Sequence, residues 1–467
     1  MPFNDFREFL DELERTGELV RLKRPVAAKF ELAAYSRRML DRRGPAIQFE
    51  NVIGHDMPVV SEVLATRRRF AAALQTTEKD LAQAWISRAE NPIPPVVVDG
   101  PAPCQEVVIS GDDVDLTALP IPTWNEFDGG PYISMGVVFS KDPVTDSKNA
   151  AIYRIQVHDK NTIGMLFAPY RHLALHAKGS TSKRFPIAIA IGVDPACSIA
   201  ASTSLPFGED EMALAGALRG APVQLTRCVS VPLDVPATAE IILEGELDLE
   251  QTAMEGPYGD FTGYYNESAP RPVIHIKTIT MRRNAIFQGT YQGRPPQDST
   301  LMLSIPAECE ILRATAITGV RDITLSEGGC GVFTAVASIE KRTEGQGRMA
   351  ASAIFGTWAA RGIKHLTIVD QTVDVRNHIE VERAVALNVQ PHRDIEILHN
   401  IAGIALDPSL PPDERINRTA RTSKIIIDAT GYTYHGEEPA ELCMPPADVL
   451  AAVDERWEED FGAAAPS

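Results

Sequence analysis

Between Glu106 and Gln292 the chain repeats one pattern that limits its choice of fold: short runs rich in Val, Ile and aromatic residues, broken by polar or Gly/Pro turns. YISMGVVFS, NAAIYRIQVHD, IGMLFAP, FPIAIAIGV, APVQLTRCVSV, AEIILEGEL, RPVIHIKTITMRR and NAIFQGTY each read as a strand. A β-rich middle domain follows, of barrel type. One helical segment, DEMALAGALR at 210–219, interrupts it.

The flanks read differently. Asn4 and Asp5 precede Phe6, Phe9, Leu10 and Leu13 at helical spacing, which predicts a capped amphipathic helix ending near Gly17. Residues 19–100 alternate strand-like runs (PAIQFENV, MPVVSEVL) with helical ones (KFELAAYSRRMLDRR, ATRRRFAAALQ), an α/β pattern. The Pro-rich stretch at 91–103 reads as a linker or domain-edge turn. After GRPPQD at 293–298, α/β alternation returns with VFTAVASIEK, RMAASAIFGTWAARG, KHLTIVD and SKIIIDAT, and an acidic amphipathic helix follows from Pro445. The predicted division is therefore 1–105 (α/β), 106–300 (β-rich), 301–444 (α/β) and 445–467 (terminal helix and tail), an α+β chain overall.

Charge narrows the partners. With 45 Lys+Arg against 63 Asp+Glu, the net charge is −18 over 467 residues, which argues against nucleic acid and acidic membranes as ligands. Cys104, Cys197, Cys228, Cys309, Cys330 and Cys443 show no CxxC or zinc spacing, so a reduced chain is expected. The first residues are charged where a signal peptide needs an apolar core, and no apolar run approaches about 18 residues. A soluble, cytoplasmic protein is the expectation.

Four segments could carry chemistry, and each has a plainer reading beside it. EGPYGDFTGYYNE at 255–267 sets Glu255 and Asp260 across a Gly-Pro-Tyr-Gly turn that can aim two carboxylates at one point, or leave both solvated at the ends of a tight turn. In KNAAIYRIQVHD, Asn149 leads into a strand with Ile152, Arg154, Gln156 and His158 on one face and Ala151, Tyr153, Ile155 and Val157 on the other. A buried Arg154 would need a carboxylate partner, while an exposed one would simply decorate a half-buried strand. Arg171 and His172 begin a helical run, suited to a phosphate or a metal, yet His172 and His176 lack the HExxH that would make a zinc site. Glu211 opens the next helix among Glu209 and Asp210, either as a ligand or as a charge complementing the helix dipole.

Together and in this order, the four segments resemble the UbiD family of prenylated-FMN-dependent decarboxylases, over nearly the whole chain. The resemblance rests on Asn149 with Arg154, Arg171-His172, Glu211 in EMALAGALRG, and EGPYGD with Glu255 and Asp260. GRPPQD and SKIIIDAT also resemble family segments, with no catalytic role implied. The resemblance implies a middle domain like the split barrels of flavin reductases, binding prenylated FMN whose phosphate is held through Mn²⁺ with a monovalent cation (K⁺ or Na⁺) nearby. It assigns Asn149, His172 and Glu211 as metal ligands, a mixed O/N set suited to Mn²⁺. Ile152, Tyr153, Arg154, Leu166, Phe167, Ala168, Arg171 and His172 would line the cofactor.

The catalytic set implied is Arg154, Glu255 and Asp260. Arg154 would bind the substrate carboxylate, the cofactor would accept the electrons released with CO₂, and Asp260 would deliver the proton, positioned with Glu255's help. Family members acting on cinnamate-type acids carry Glu where this chain has Asp260, so a cinnamate-like substrate is not favoured. The expected activity is reversible, non-oxidative decarboxylation of an aromatic, heteroaromatic or α,β-unsaturated acid. A flavin prenyltransferase would supply the cofactor, and a homo-oligomer, dimer or hexamer, would form through the C-terminal domain. Two other readings remain at this point: a non-catalytic UbiD-like subunit of a larger carboxylase, and a flavin reductase-like oxidoreductase, for which no GxGxxG follows a strand.

Overall fold

The computed structural model describes residues 2–417, 420–431 and 443–462. The middle of the chain closes on itself. Strands Tyr132–Lys141, Lys148–Val157, Thr162–Met165, Ala269–Met281, Ile241–Glu255 and Arg184–Ile191 pair antiparallel in that order, and the last pairs back to the first. The result is a six-stranded barrel, with Val107–Ser110 laid along Ala269–Met281. Closure leaves the six strands without a free edge. Both faces of the wall are covered. Ala151, Tyr153, Ile155 and Val157 join Ile187, Ile189 and Leu243 in one apolar cluster. Ala188, Ala190 and Ile242, on the opposite face, join Phe6, Phe9, Leu10 and Leu13 of the first helix in another.

That first helix, Phe6–Arg15, starts where the Asp5 side chain accepts the Glu8 N–H at 3.0 Å. Arg7 then forks onto the buried carboxylate of Glu240, both bonds at 2.8 Å, fastening the helix to the barrel.

Three differences from the expected elements have clear causes. NAIFQGTY was grouped with the middle strands, but Phe287–Gly289 leaves the barrel and pairs in parallel with Val59–Ser61, completing the N-terminal sheet of Leu19–Leu22, Ala46–Phe49 and Val59–Ser61. Alternation reveals a strand and not its partner. The helices expected from Arg171-His172 and over 210–219 form as His172–Gly179 and Glu211–Arg219, but Pro195–Ser202 is a further helix in the middle region that the sequence does not announce. PACSIAAS is almost wholly buried, so it has no polar face to show a helical period; its start is set by the Asp194 cap, which accepts the Ala196 N–H at 2.8 Å, and by Pro195. The third is Asp298–Thr315, an 18-residue helix whose internal Pro306 hides it from pattern reading.

The C-terminal sheet runs Val320–Leu325, Thr334–Ile339, His365–Asp370, Arg421–Asp428 and Ile395–Ala402, parallel in the centre and antiparallel at each edge. Ala350, Ala351 and Ile354 of the Gln346–Phe355 helix pack on it. The tail forms two short helices, Ala447–Asp454 and Trp457–Phe461, where one was expected; its last five residues lie outside the described ones. The six cysteines are unpaired, and no described helix is long and apolar enough to cross a membrane.

The long helix is joined to the N-terminal sheet by two buried acids. Glu62 accepts the Tyr291 N–H at 2.6 Å, and Asp298 Oδ1 accepts the Leu64 N–H at 2.9 Å. Burial, then the neighbouring Asp298, pushes Glu62 well above the usual carboxyl range, and burial raises Asp298 to about 7. The folded chain thus holds protons that an unfolded one releases near about pH 4, so this pair's contribution weakens as pH rises from about 4 through 7. Asp298→Asn keeps an oxygen for Leu64 and is expected to flatten that decline. Urea midpoints at pH 5 and 7.5 measure it, and equal declines in variant and wild type would refute the account.

Candidate active site

Arg154 lies mid-strand in Lys148–Val157, on the face opposite the Tyr153 and Ile155 cluster. Glu255 ends the strand Ile241–Glu255, and Asp260 stands past the turn that follows. The Arg154 guanidinium meets Glu255 in a fork, Nε to Oε1 at 3.0 Å and Nη2 to Oε2 at 2.9 Å, and reaches Asp260 Oδ2 with Nη1 at 3.3 Å. Its side chain is 8 % exposed and that of Glu255 1 %. Burial works against the guanidinium charge, but Glu255 and then Asp260 outweigh it, so the Arg154 pKa stands above its ordinary value. Of the two plain alternatives left by the sequence, the solvated turn and the decorative strand arginine, neither describes this geometry.

The turn is built to bring its acids inward. Gly256 has φ +98°, and a Cβ there would lie 3.1 Å from the Ser268 backbone. Asp128 holds the far side by accepting the Gly259 N–H at 2.8 Å, and burial raises its own pKa to about 6. Asp260 receives two further bonds, from the Phe261 N–H at 2.7 Å and from Asn266 Nδ2 at 2.6 Å.

Arg154 and Asp260 face a cavity of about 340 Å³. Ile152, Tyr153, Leu166, Phe167, Ala168 and Arg171 line the same cavity, so the cofactor-lining residues named from sequence, apart from His172, meet there. Its other wall comes from the C-terminal part, with Met302, Leu303, Pro306, Val332 and Leu406 apolar and Arg361 polar, and Gln292 and Ser299, from the segment leading into it, add two further polar points.

The three candidate metal ligands lie near the Arg171 end. Glu211 Oε2 accepts the Ala150 N–H at 2.9 Å, which sets the carboxylate beside Asn149. Burial raises Glu211 to about 8, and Arg171 pulls weakly the other way. Asn149 Nδ2 is buried with no partner. His172 sets its ring edge-on to Phe207 with centroids 5.3 Å apart, and burial followed by the Arg171 charge keeps its imidazole neutral, the ligating form. A buried carboxylate short of positive charge, an unpartnered amide and a neutral imidazole are a donor set that fits a hard or borderline divalent cation. No three His, Cys, Asp or Glu side chains cluster for a metal among the described residues, so the amide is needed to complete such a set.

Several supporting residues were not picked out from sequence. Gln156 Oε1 accepts both the Gly256 N–H at 2.9 Å and the Tyr132 hydroxyl at 3.1 Å, tying strand to turn. Its place on the Arg154 face was the available signal. The Tyr258 ring underlies the Arg154 guanidinium at 5.3 Å and packs on Tyr132 at 4.2 Å. Asn266 lies within the EGPYGDFTGYYNE segment itself, six residues past Asp260, whereas nothing local in the sequence marks Tyr132 or Arg361, which arrive from distant segments.

Three family models match consecutive parts of the chain: the 3-octaprenyl-4-hydroxybenzoate carboxy-lyase N-terminal domain over 10–89, its Rift-related domain over 96–295, and its C-terminal domain over 300–429. Among solved structures, the UbiD-class enzyme HmfF from Pelotomaculum thermopropionicum, in complex with FMN, superposes with a TM-score of 0.87 at 33 % identity, covering 97 % of this chain and all of that one. The vanillic acid decarboxylase of Sedimentibacter hydroxybenzoicus in open form gives 0.87 at 30 % identity over 98 % of each chain. The 3,4-dihydroxybenzoic acid decarboxylase of Enterobacter cloacae gives 0.84 at 31 % identity, covering 97 % of this chain and 99 % of that one. Family models over three successive regions and end-to-end likeness to these enzymes lead to one conclusion: the chain belongs to the UbiD family of prenylated-FMN-dependent decarboxylases.

Proposed function

We propose that the chain catalyses reversible, non-oxidative decarboxylation of an aromatic or heteroaromatic carboxylic acid, with Arg154, Glu255 and Asp260 as its catalytic groups. The reading rests above all on one observation: a single buried guanidinium shared between two carboxylates in the wall of a largely apolar cavity.

The charges define the roles. Glu255 takes Arg154 by two short bonds and fixes its plane, while Asp260 takes Nη1 by one longer bond. A substrate carboxylate therefore competes for Nη1 and displaces Asp260, not Glu255. The substrate carboxylate and Asp260 compete for the same Nη1, so the substrate takes that donor while Asp260 carries the proton the reaction needs. That proton is then placed beside the carbon that loses CO₂, and Asp260 delivers it. The Asn266 bond stays available to Asp260 when Nη1 is taken by the substrate. Prenylated FMN, when bound, supplies the electron sink that side chains lack. Ile152, Tyr153, Phe167 and Ala168 would flank it, and Asn149, His172 and Glu211 would hold Mn²⁺, with a monovalent cation nearby, against its phosphate. The apolar wall of Met302, Pro306, Val332 and Leu406 excludes water and suits a flat ring. We place the enzyme in the cytoplasm as a homo-oligomer served by a flavin prenyltransferase.

Expression with a flavin prenyltransferase, followed by a screen of aromatic acids for CO₂ release, tests the activity. Arg154→Ala and Asp260→Asn are expected to bind flavin yet lose at least about 100-fold in both turnover and solvent-deuterium exchange at the product carbon. Wild-type turnover in either variant would remove the assigned roles. A separate expectation concerns stability: Arg154→Met strands two buried acids and should cost about 3–5 kcal/mol in urea unfolding. Adding Glu255→Leu should restore part of the loss, and a double variant weaker than Arg154→Met alone would contradict this.

A further inference from the structure

SKIIIDAT carries no role in the chemistry above, yet it holds an unusual lysine. Lys424, on the strand Arg421–Asp428, is 1 % exposed. Its Nζ donates to three backbone carbonyls, Ala360 at 3.0 Å, Arg361 at 3.1 Å and Ile363 at 2.7 Å, and lies over the Phe355 ring at 4.7 Å. No carboxylate among the described residues forms an ion pair with it, and burial alone lowers its pKa to about 8. A buried ammonium without an acid is expensive unless its three protons are all used. All three acceptors belong to one short turn, Trp358–Gly362 and the residue that caps it. The Ala360 carbonyl also accepts the Ile363 N–H at 3.0 Å within the turn, and the ammonium gathers it together with the Arg361 and Ile363 carbonyls. An arginine fork could not, because its donors lie in a plane.

That turn carries Arg361 into the cavity wall. The Arg361 guanidinium stacks on Trp358 at 4.8 Å, and its Nη1 contacts Ser204 Oγ and Trp358 O only at 3.5 and 3.4 Å. Its Nε is buried without a partner. Burial, and then the like charge of Arg171, weigh against it, while only Tyr170 favours it. Two arginines therefore face the same end of the cavity, and Arg361 has no carboxylate of its own.

We infer that Lys424 is a positioning residue: by gathering the carbonyls of the Trp358–Gly362 turn, it aims Arg361 at the phosphate of a flavin nucleotide bound between Arg171 and Arg361. This rests on the reading of the cavity as a phosphorylated-flavin site, and the experiment separates the two. FMN and riboflavin, which lacks the phosphate, are titrated into the full apo chain by flavin fluorescence. Wild type should prefer FMN. Lys424→Met should weaken FMN by about tenfold, the effect of one charge-assisted hydrogen bond, and leave riboflavin unchanged. Arg361→Met should do the same, and the double variant no more, because the lysine acts through the arginine. Wild-type FMN affinity in folded Lys424→Met, equal losses for FMN and riboflavin, or additive losses in the double variant would overturn the inference. Circular dichroism checks folding, and Lys424→Gln, which keeps two donors, replaces a methionine variant that does not fold. If neither folds, the lysine is a brace for the whole domain and the inference is likewise overturned. A wild type with no preference for FMN would instead overturn the reading of the cavity.

Discussion

One guanidinium between two acids organises the centre of this molecule. Arg154 is locked to Glu255 by a fork, and that fork ties Lys148–Val157 to the end of Ile241–Glu255, strands that are not neighbours in the barrel, and so to the turn that carries Asp260. Buried charges of this kind are poor sources of stability, since hydrophobic replacements of the same size are often no worse. Their persistence here is better explained by what they hold ready. Glu255 spends both oxygens on Arg154, whereas Asp260 touches it through one bond of 3.3 Å. The asymmetry separates an acid that fixes geometry from one that is free to exchange its partner. Gln156, Tyr132 and Asp128 extend the arrangement outward by bonding the Gly256 N–H, the Pro257 carbonyl and the Gly259 N–H in turn.

How much of this could be read from the chain alone depends on the range of the interaction concerned. Period-two alternation in NAAIYRIQV placed Tyr153 in the core and Arg154 and Gln156 on the other face, because the pleat is a local property. The glycines of EGPYGD marked a turn able to converge two acids, also locally. The partner of NAIFQGTY was not readable, because strand pairing is decided by what packs on each face over 200 residues away. PACSIAAS was missed for a different reason: a helix buried on all sides has no polar stripe, and only its Asp194-Pro195 start remains as a sign. Arg361 is an extreme case. Its neighbours Tyr170, Arg171 and Ser204 lie in segments far along the chain, and its orientation is set by a lysine on a separate strand.

The cavity is therefore a product of assembly. One wall is barrel, contributing Ile152, Arg154 and Phe167, and the other is the long helix and the C-terminal sheet loops, contributing Met302, Pro306 and Val332. The long helix is tied to the N-terminal sheet through Glu62 and Asp298, buried groups whose protonation shifts with pH. Anything that moves the C-terminal part changes the shape of the site without touching Arg154. Lid-type control of access and water exclusion needs such a two-part wall.

The acidity of the chain then has a simple consequence. A net charge of −18 would be unhelpful to an enzyme that gathers a phosphate and a carboxylate if charge acted evenly through the molecule. It does not: surface charges are screened over about 8–10 Å at physiological salt, while buried ones are not. Arg154, Arg171 and Arg361 line the cavity, where their charges are screened less than those on the surface. Glu255 pairs with the first, the second feels Glu211 only weakly and without an ion pair, and the third has no acid of its own. The gradation runs from a guanidinium paired with two acids to one with no carboxylate partner. It is set by three local environments that net charge does not register.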